Sequence, residues 1–248
     1  MTNYRGHQLP AARRRKSLFA RAAGLVFKVA AALVVLSLLW VLAYRFVPVP
    51  LTWPMARDAI GGRHVERDWV PLSQIARSVP RAAIGAEDAR FCVHSGFDFE
   101  AMEAAAVRNA RAAASGRKKL RGGSTISQQT AKNAFLWPGR SYIRKGLEAY
   151  FTVLIELIWG KPRIMEVYLN IAEMGPGIYG VEAAAQHYFH TSASKLTPAQ
   201  ASRIAAILPQ PIKRDAAKPG RFVKRYARKI ERRARVVANE GIDACLRA

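Results

Sequence analysis

The chain has 248 residues, half of them hydrophobic, with 40 lysines and arginines against 17 aspartates and glutamates and a formal net charge of +23. That charge favours anionic partners, whether nucleic acid, a phospholipid surface or a pyrophosphate compound, without choosing among them. The two cysteines, Cys92 and Cys245, fit no zinc spacing, and no repeat or low-complexity tract appears apart from a basic C-terminal region.

Arg13, Arg14, Arg15, Lys16 and Arg21 precede a run from Ala22 to Tyr44 in which Lys28 is the only charge. The run reaches the roughly 20 residues that cross a bilayer, and Lys28 lies close enough to its end to snorkel. A cleaved signal peptide has a shorter apolar region of roughly 7–15 residues and a small-residue cleavage site, whereas Trp40, Tyr44 and Arg45 close this one. Residues 22–44 therefore read as an uncleaved anchor. Its basic flank places residues 1–21 in the cytoplasm and everything after about Phe46 outside it. Residues 45–69, with Pro48, Pro50 and Pro54, read as a short, stiff membrane-proximal connector. Residues 70–212 suit a single domain with its own core, and 213–248 a basic helical region.

From Leu72 on the patterns are helical. Alanine-rich runs occupy Ala101–Ala114 and Ala199–Leu208, and no sustained alternation or Asn-Gly hairpin signal appears, so the expected class is mainly α. The apolar stretch Gly146–Trp159 is too short for a second span and carries Glu148 and Glu156, which fits a core helix. Between Lys213 and Arg235, basic pairs surround Phe222 and Tyr226, a pattern open to anionic lipid, to nucleic acid or to plain solvation. The anchor argues for lipid over nucleic acid. Cys92 and Cys245 suit an oxidising compartment, and their pairing stays open.

Four polar blocks stand out. The first is Glu87-Asp88-Ala89-Arg90-Phe91-Cys92-Val93-His94-Ser95-Gly96, and the second runs from Arg121 to Asn133 through Gly122-Gly123-Ser124-Thr125. The third holds Arg144, Lys145 and Glu148, and the fourth Glu166, Tyr168 and Asn170. With Ser124 as N-cap, Thr125, Gln128, Gln129, Lys132 and Asn133 would share one helix face, a polar stripe with one cation suited to an anionic, sugar-bearing ligand. Taken singly, each block has a plainer reading. Glu87 and Arg90, or Arg144 and Glu148, make surface pairs worth about 0.2–0.5 kcal/mol.

In this order and spacing the blocks resemble the motifs of the peptidoglycan glycosyltransferases, glycosyltransferase family 51, over about Val70 to Pro211. The family patterns run roughly E-D-x-x-F-x-x-H-x-G, G-G-S-T-[IL]-[ST]-Q-Q-x-x-K-N, R-K-x-x-E and [IL]-x-E-x-[YF]-[LM]-N. Departures are small: Ala134 where the family often has Leu, His190 where it has Gly, Gln210 where it has Asn.

The resemblance implies a lysozyme-like helical domain with a small membrane-proximal lobe, acting on lipid II and a lipid-linked growing glycan chain at a bacterial inner membrane. It implies Glu87 as the base that takes the proton of the attacking sugar hydroxyl. Lys132 and Arg144 would hold the leaving pyrophosphate, where fixed cations stabilise accumulating charge. Glu148 would act beside the phosphates, by organising those cations or by holding Mg²⁺ or Mn²⁺, for which no dedicated cage is evident. Ser124, Thr125, Gln128, Gln129 and Asn133 would contact substrate. Asp88 and His94 would organise Glu87, while Glu166 and Asn170 would brace the cleft. Cell-wall synthesis or division proteins are the partners such an enzyme would meet.

Ser192-Ala193-Ser194-Lys195 matches the Ser-x-x-Lys of transpeptidases, but no Lys-Thr-Gly follows anywhere, so the chain reads as lacking transpeptidase chemistry. Two other classes remain. A lytic hydrolase on a similar scaffold would need an acidic Glu but no pyrophosphate clamp. A membrane-anchored basic scaffold would not depend on Glu87 at all.

Overall fold

The computed structural model describes residues 18–116, 122–139 and 141–247. The basic cluster Arg13–Lys16 and Arg121 therefore lie outside the described residues. Ten α-helices and a three-stranded sheet are present among them. Helix α1, Leu18–Phe46, is the one described helix long and apolar enough to cross a membrane, over Phe19–Phe46. Up to Trp40 it forms a unit of its own, with Leu25, Phe27, Leu33 and Leu36 exposed. Apolar side chains left facing out over this length suit lipid rather than water.

From Val41 onward the chain is a second unit. The end of α1 enters it directly. The Val41 carbonyl accepts from the Trp159 indole at 2.7 Å, and the Arg163 guanidinium donates to the carbonyls of Tyr44 at 2.8 Å and Val47 at 2.5 Å. Tyr44 stands in the last turn of α1, where Pro48 offers no N–H four residues on, and the cation satisfies its carbonyl. Where a connector was expected, α2 runs Trp53–Ile60. Pro54 sits in its first turn, where the missing N–H costs nothing, and Thr52 caps it, so this proline starts a helix rather than breaking one.

The core helices follow: α3 (Ser78–Glu87), α4 (Phe99–Ala114), α5 (Ile126–Phe135), α6 (Tyr142–Ile158), α7 (Gly160–Ile171), α8 (Val181–Phe189), α9 (Pro198–Ile207) and α10 (Arg221–Asn239). Helices α5, α6 and α7 pack together, as do α3, α9 and α10. Ile126, Ile155, Ile164, Met165, Leu169 and Ile204 are buried at their centre. The basic helix α10 belongs to the same core: Val223, Ala227, Ile230, Ala234 and Val237 are buried at helical spacing while Lys224, Arg228 and Arg232 stay exposed. Strands β1 (Glu66–Arg67), β2 (Glu173–Gly175) and β3 (Ile178–Tyr179) form a sheet of order β1-β3-β2, parallel between β1 and β3 and antiparallel between β3 and β2.

His190 follows α8 with φ +51°, the one left-handed non-glycine among the described residues. That backbone explains the glycine common at this position in the family pattern.

Cys92 and Cys245 form a disulfide, with Cα atoms 5.4 Å apart across 153 residues of sequence. A cross-link over so long a loop restricts the unfolded chain by about 2–5 kcal/mol. Replacing both cysteines by serine is expected to lower the unfolding free energy by that amount under oxidising conditions and to abolish the effect of added reductant. Equal stability with and without dithiothreitol in the unmodified protein would contradict this.

Candidate active site

The site is assembled on the turn that follows α3. Asp88 ends that helix, and its Oδ2 accepts from the Ile126 backbone N–H at 2.9 Å. A carboxylate thus meets the unsatisfied first turn of α5 and fixes the two helices end to end. His94 Nε2 lies 2.9 Å from Asp88 Oδ1, while His94 Nδ1 accepts from the Gly96 N–H at 3.1 Å. Because a backbone N–H only donates, Nδ1 is the bare nitrogen and Nε2 carries the proton toward Asp88. The turn also needs Gly96 itself, which has φ +92° and stands where a Cβ would lie 2.7 Å from the Thr152 methyl.

Helix α5 begins one residue later than expected. Thr125, not Ser124, is its N-cap: Thr125 Oγ1 accepts from Gln128 N–H at 3.1 Å and Gln128 Oε1 accepts from Thr125 N–H at 3.0 Å, a reciprocal capping box. Thr125 Oγ1 also donates to Gly96 O at 2.6 Å. Thr125 and Gln128 are each 2 % exposed, so the cap and the turn occupy the polar atoms that a ligand was expected to use.

Gln129, Lys132 and Asn133, at i, i+3 and i+4, do share an open face. With Arg144, Tyr168, Trp137 and Leu136 they line a cleft of about 340 Å³. Gln129 Nε2 donates to Glu87 Oε2 at 3.2 Å. Glu87 lines a second cavity of about 420 Å³ together with Asp88, Arg90 and Ser124. The Gln129–Glu87 hydrogen bond therefore joins residues of the two hollows. Arg90 does not pair with Glu87 as the i, i+3 spacing allowed. Its guanidinium turns to Glu100 and to Asp98, 3.6 Å away, at the start of α4.

Burial holds the Glu87 carboxyl above the usual carboxylate range; neighbouring Asp88 adds to this, while the Gln129 hydrogen bond and the Arg214 charge oppose it. Burial likewise pushes the Lys132 ammonium below its usual value, against the pull of Glu148 and helped by Arg144 and Lys145. Lys132 has no ion pair among the described residues.

Ser141 caps α6 and sets Arg144 in its first turn. Arg144 Nη1 donates to Glu148 Oε2 at 2.8 Å and Lys145 Nζ to Glu148 Oε1 at 2.5 Å. Arg144 Nε is buried with no hydrogen-bond partner. A buried guanidinium N–H facing no acceptor costs free energy until an anion supplies one. Both oxygens of Glu148 are already taken by cations, and no group of three His, Cys, Asp or Glu side chains able to hold a metal occurs among the described residues. These donors do not fit a protein-held Mg²⁺ or Mn²⁺.

Glu166 and Asn170 lie on one face of α7 but point at the chain, not the cleft. Glu166 Oε2 accepts from Leu72 N–H at 2.9 Å, and Asn170 exchanges hydrogen bonds with both backbone groups of Val70 at 2.8 and 2.9 Å. Tyr168, which has no chemical role on sequence grounds, lines the 340 Å³ cleft, buried to 2 % and with its phenol pushed up by burial and by Glu87 and Asp88. Lys145 likewise has no chemical role on sequence grounds, yet it pairs with Glu148. Its i, i+3 spacing to Glu148 was the signal available.

The transglycosylase family profile matches residues 56–240, a span holding every one of these side chains. Biosynthetic peptidoglycan transglycosylases are among the chain's relatives. That of Caulobacter vibrioides is 56 % identical over 206 residues, covering 83 % of this chain and 88 % of the relative. Those of a Jannaschia species and of Pasteurella multocida are 50 % and 44 % identical, covering 85 % and 88 % of this chain and 84 % and 89 % of their own lengths. With a match of this extent over the helices that build the cleft, the chain belongs to the transglycosylase family, the glycosyltransferases of peptidoglycan synthesis.

Proposed function

We propose that the chain polymerises lipid II into β-1,4-linked glycan strands. The 4-hydroxyl oxygen of N-acetylglucosamine on lipid II forms a bond to C1 of N-acetylmuramic acid on the lipid-linked growing chain. The C1–O bond to undecaprenyl pyrophosphate breaks, the centre inverts, and the hydroxyl proton passes to the Glu87 carboxylate. Burial of Glu87 raises its affinity for that proton, and Gln129 orients it. The observation that carries the reading is the unpartnered Nε of Arg144 in a cleft it shares with Lys132, since two poised cations suit a leaving group whose charge grows as the bond breaks.

Glu148 then serves as the counter-charge that keeps Arg144 and Lys145 in place. Ser124, Gln129 and Asn133 are the polar groups left for sugar or phosphate. Thr125 and Gln128 support them through the cap, Asp88 and His94 hold the turn beneath Glu87, and Glu166 and Asn170 fasten the Val70–Leu72 segment. Helix α1 anchors the chain in the inner membrane, with the basic N-terminus cytoplasmic and the catalytic unit on the other side, where lipid II meets the growing strand. The absence of a Lys-Thr-Gly sequence supports a chain without transpeptidase activity.

The test is polymerisation of labelled lipid II by the purified full chain in detergent, followed by muramidase digestion. Muramidase-sensitive polymer with release of undecaprenyl pyrophosphate is the expected result. No polymer, or cleavage of preformed glycan, would return the lytic hydrolase to the front.

A further inference from the structure

Beneath the turn that carries Asp88 and His94 lies an ion pair that neither cavity touches. Lys161, at the start of α7, donates from Nζ to Glu156 Oε1 at 2.7 Å and to the His94 carbonyl at 2.7 Å. The same ammonium stands 4.5 Å from the centre of the Phe91 ring. Glu156 Oε1 further accepts from Ser127 Oγ at 2.5 Å, in the first turn of α5. Side-chain exposure is 13 % for Lys161 and 8 % for Glu156, and Ser127 is fully buried. One carboxylate oxygen and one ammonium thus join α5, α6, α7 and the turn at a single point.

A buried pair is weak evidence for stability, because well-packed apolar side chains of similar volume often replace it at no loss. What apolar replacements cannot reproduce is the directed contact with the His94 carbonyl and with Ser127. Those contacts fix both ends of the chain of bonds that reaches Glu87. The His94 ring holds Asp88, Asp88 holds the first N–H of α5, and Gln129 on α5 holds Glu87.

We propose that the Lys161–Glu156 pair is a positioning device for the glycosyl-transfer step, setting the orientation and water exposure of Glu87 through the His94 turn and the first turn of α5. The inference rests on Glu87 being the base. The charged and titratable groups around Glu87 are Asp88 on its own turn, Tyr168 on α7 and Arg214 after α9, with Gln129 as its hydrogen-bond donor. None is Lys161 or Glu156, so the pair acts through geometry and not as a neighbouring charge.

The experiment compares the full chain with Lys161→Met/Glu156→Leu, Lys161→Arg and Glu87→Gln, measuring kcat and KM for lipid II from pH 5 to 9 and the melting temperature of each. The double apolar variant is expected to melt within a few degrees of the unmodified protein. Its kcat should fall about tenfold or more with KM changed less than about threefold, and the acid limb of its pH profile should move down as water reaches the loosened Glu87. Lys161→Arg should restore at least half of kcat. A double variant with unchanged kcat and an unmoved limb would overturn the proposal, as would a loss of kcat that follows the melting temperature alone with the limb unmoved. Activity retained in Glu87→Gln would instead remove the assignment of the base, an outcome read from that variant by itself.

Discussion

Glu87→Gln is expected to lower polymerisation of lipid II by about 10²–10⁴-fold, the range that a positioned general base contributes. The amide keeps the shape of the carboxyl and can still meet the Gln129 side chain, so the fold is preserved while the proton acceptor is lost. The pH dependence gives a second handle. The folded-state pKa of Glu87 lies above its ordinary value, so the group favours folding most when protonated, below its unfolded pKa. That contribution is lost as pH rises through the folded pKa. Above that folded pKa the ionised carboxylate is therefore a desolvated charge that the fold carries at a cost, and there Glu87→Gln should melt at the same temperature as the unmodified protein or higher. Loss of activity with equal or greater stability is what a functional rather than a structural acid produces. A variant that keeps its activity, or that loses activity only in proportion to unfolding, would contradict the assignment.

Glu148→Ala should damage both activity and stability. Glu148 is 3 % exposed and neutralises Arg144, itself 9 % exposed, together with Lys145. Removing it leaves a buried guanidinium uncompensated beside Lys132, which costs about 3–5 kcal/mol. For a unit of this size that corresponds to a fall in melting temperature of roughly 10 °C. With Arg144 and Lys132 holding the leaving pyrophosphate as proposed, misplacing them should lower polymerisation at least about 100-fold. Arg144→Met/Glu148→Met separates the two effects: stability should largely return, because neither buried charge remains, and activity should not. Recovery of activity in the double variant would mean that Arg144 does not act on the leaving group. Thermal melts and polymer yield on the three proteins measure both quantities.

Much of this architecture was legible in the sequence where periodicity was long. The anchor helix, the alanine-rich helices α4 and α9, and the apolar helix carrying Glu148 contain 29, 16, 10 and 17 residues. Strands of two or three residues, as in β1, β2 and β3, leave no alternation to detect. The start of α5 was ambiguous by one residue because Ser124 and Thr125 are both good caps. The tie was broken by Gln128, which stands three residues after Thr125 and completes the box only from there. In the cleft, spacing predicted that Gln129, Lys132 and Asn133 share a face, and Arg144 joins it only through the packing of α5 on α6. The partners of Arg90, Glu156 and Lys161 were invisible for the same reason. Each choice among acceptors several residues or tens of residues away is made by the tertiary fold, not by local sequence.

The disulfide gives the molecule an order of events. Cys92 stands five residues after Glu87, on the turn that holds His94, and its partner is residue 245. Helices α4 to α10 lie inside the covalent ring that the pair closes. A ribosome must finish that whole stretch before the second thiol exists, and the bond then forms only where thiols are oxidised. Helix packing can precede both conditions, whereas the staple beside Glu87 waits for both. A chain retained in the reducing cytoplasm would possess every helix and still lack it.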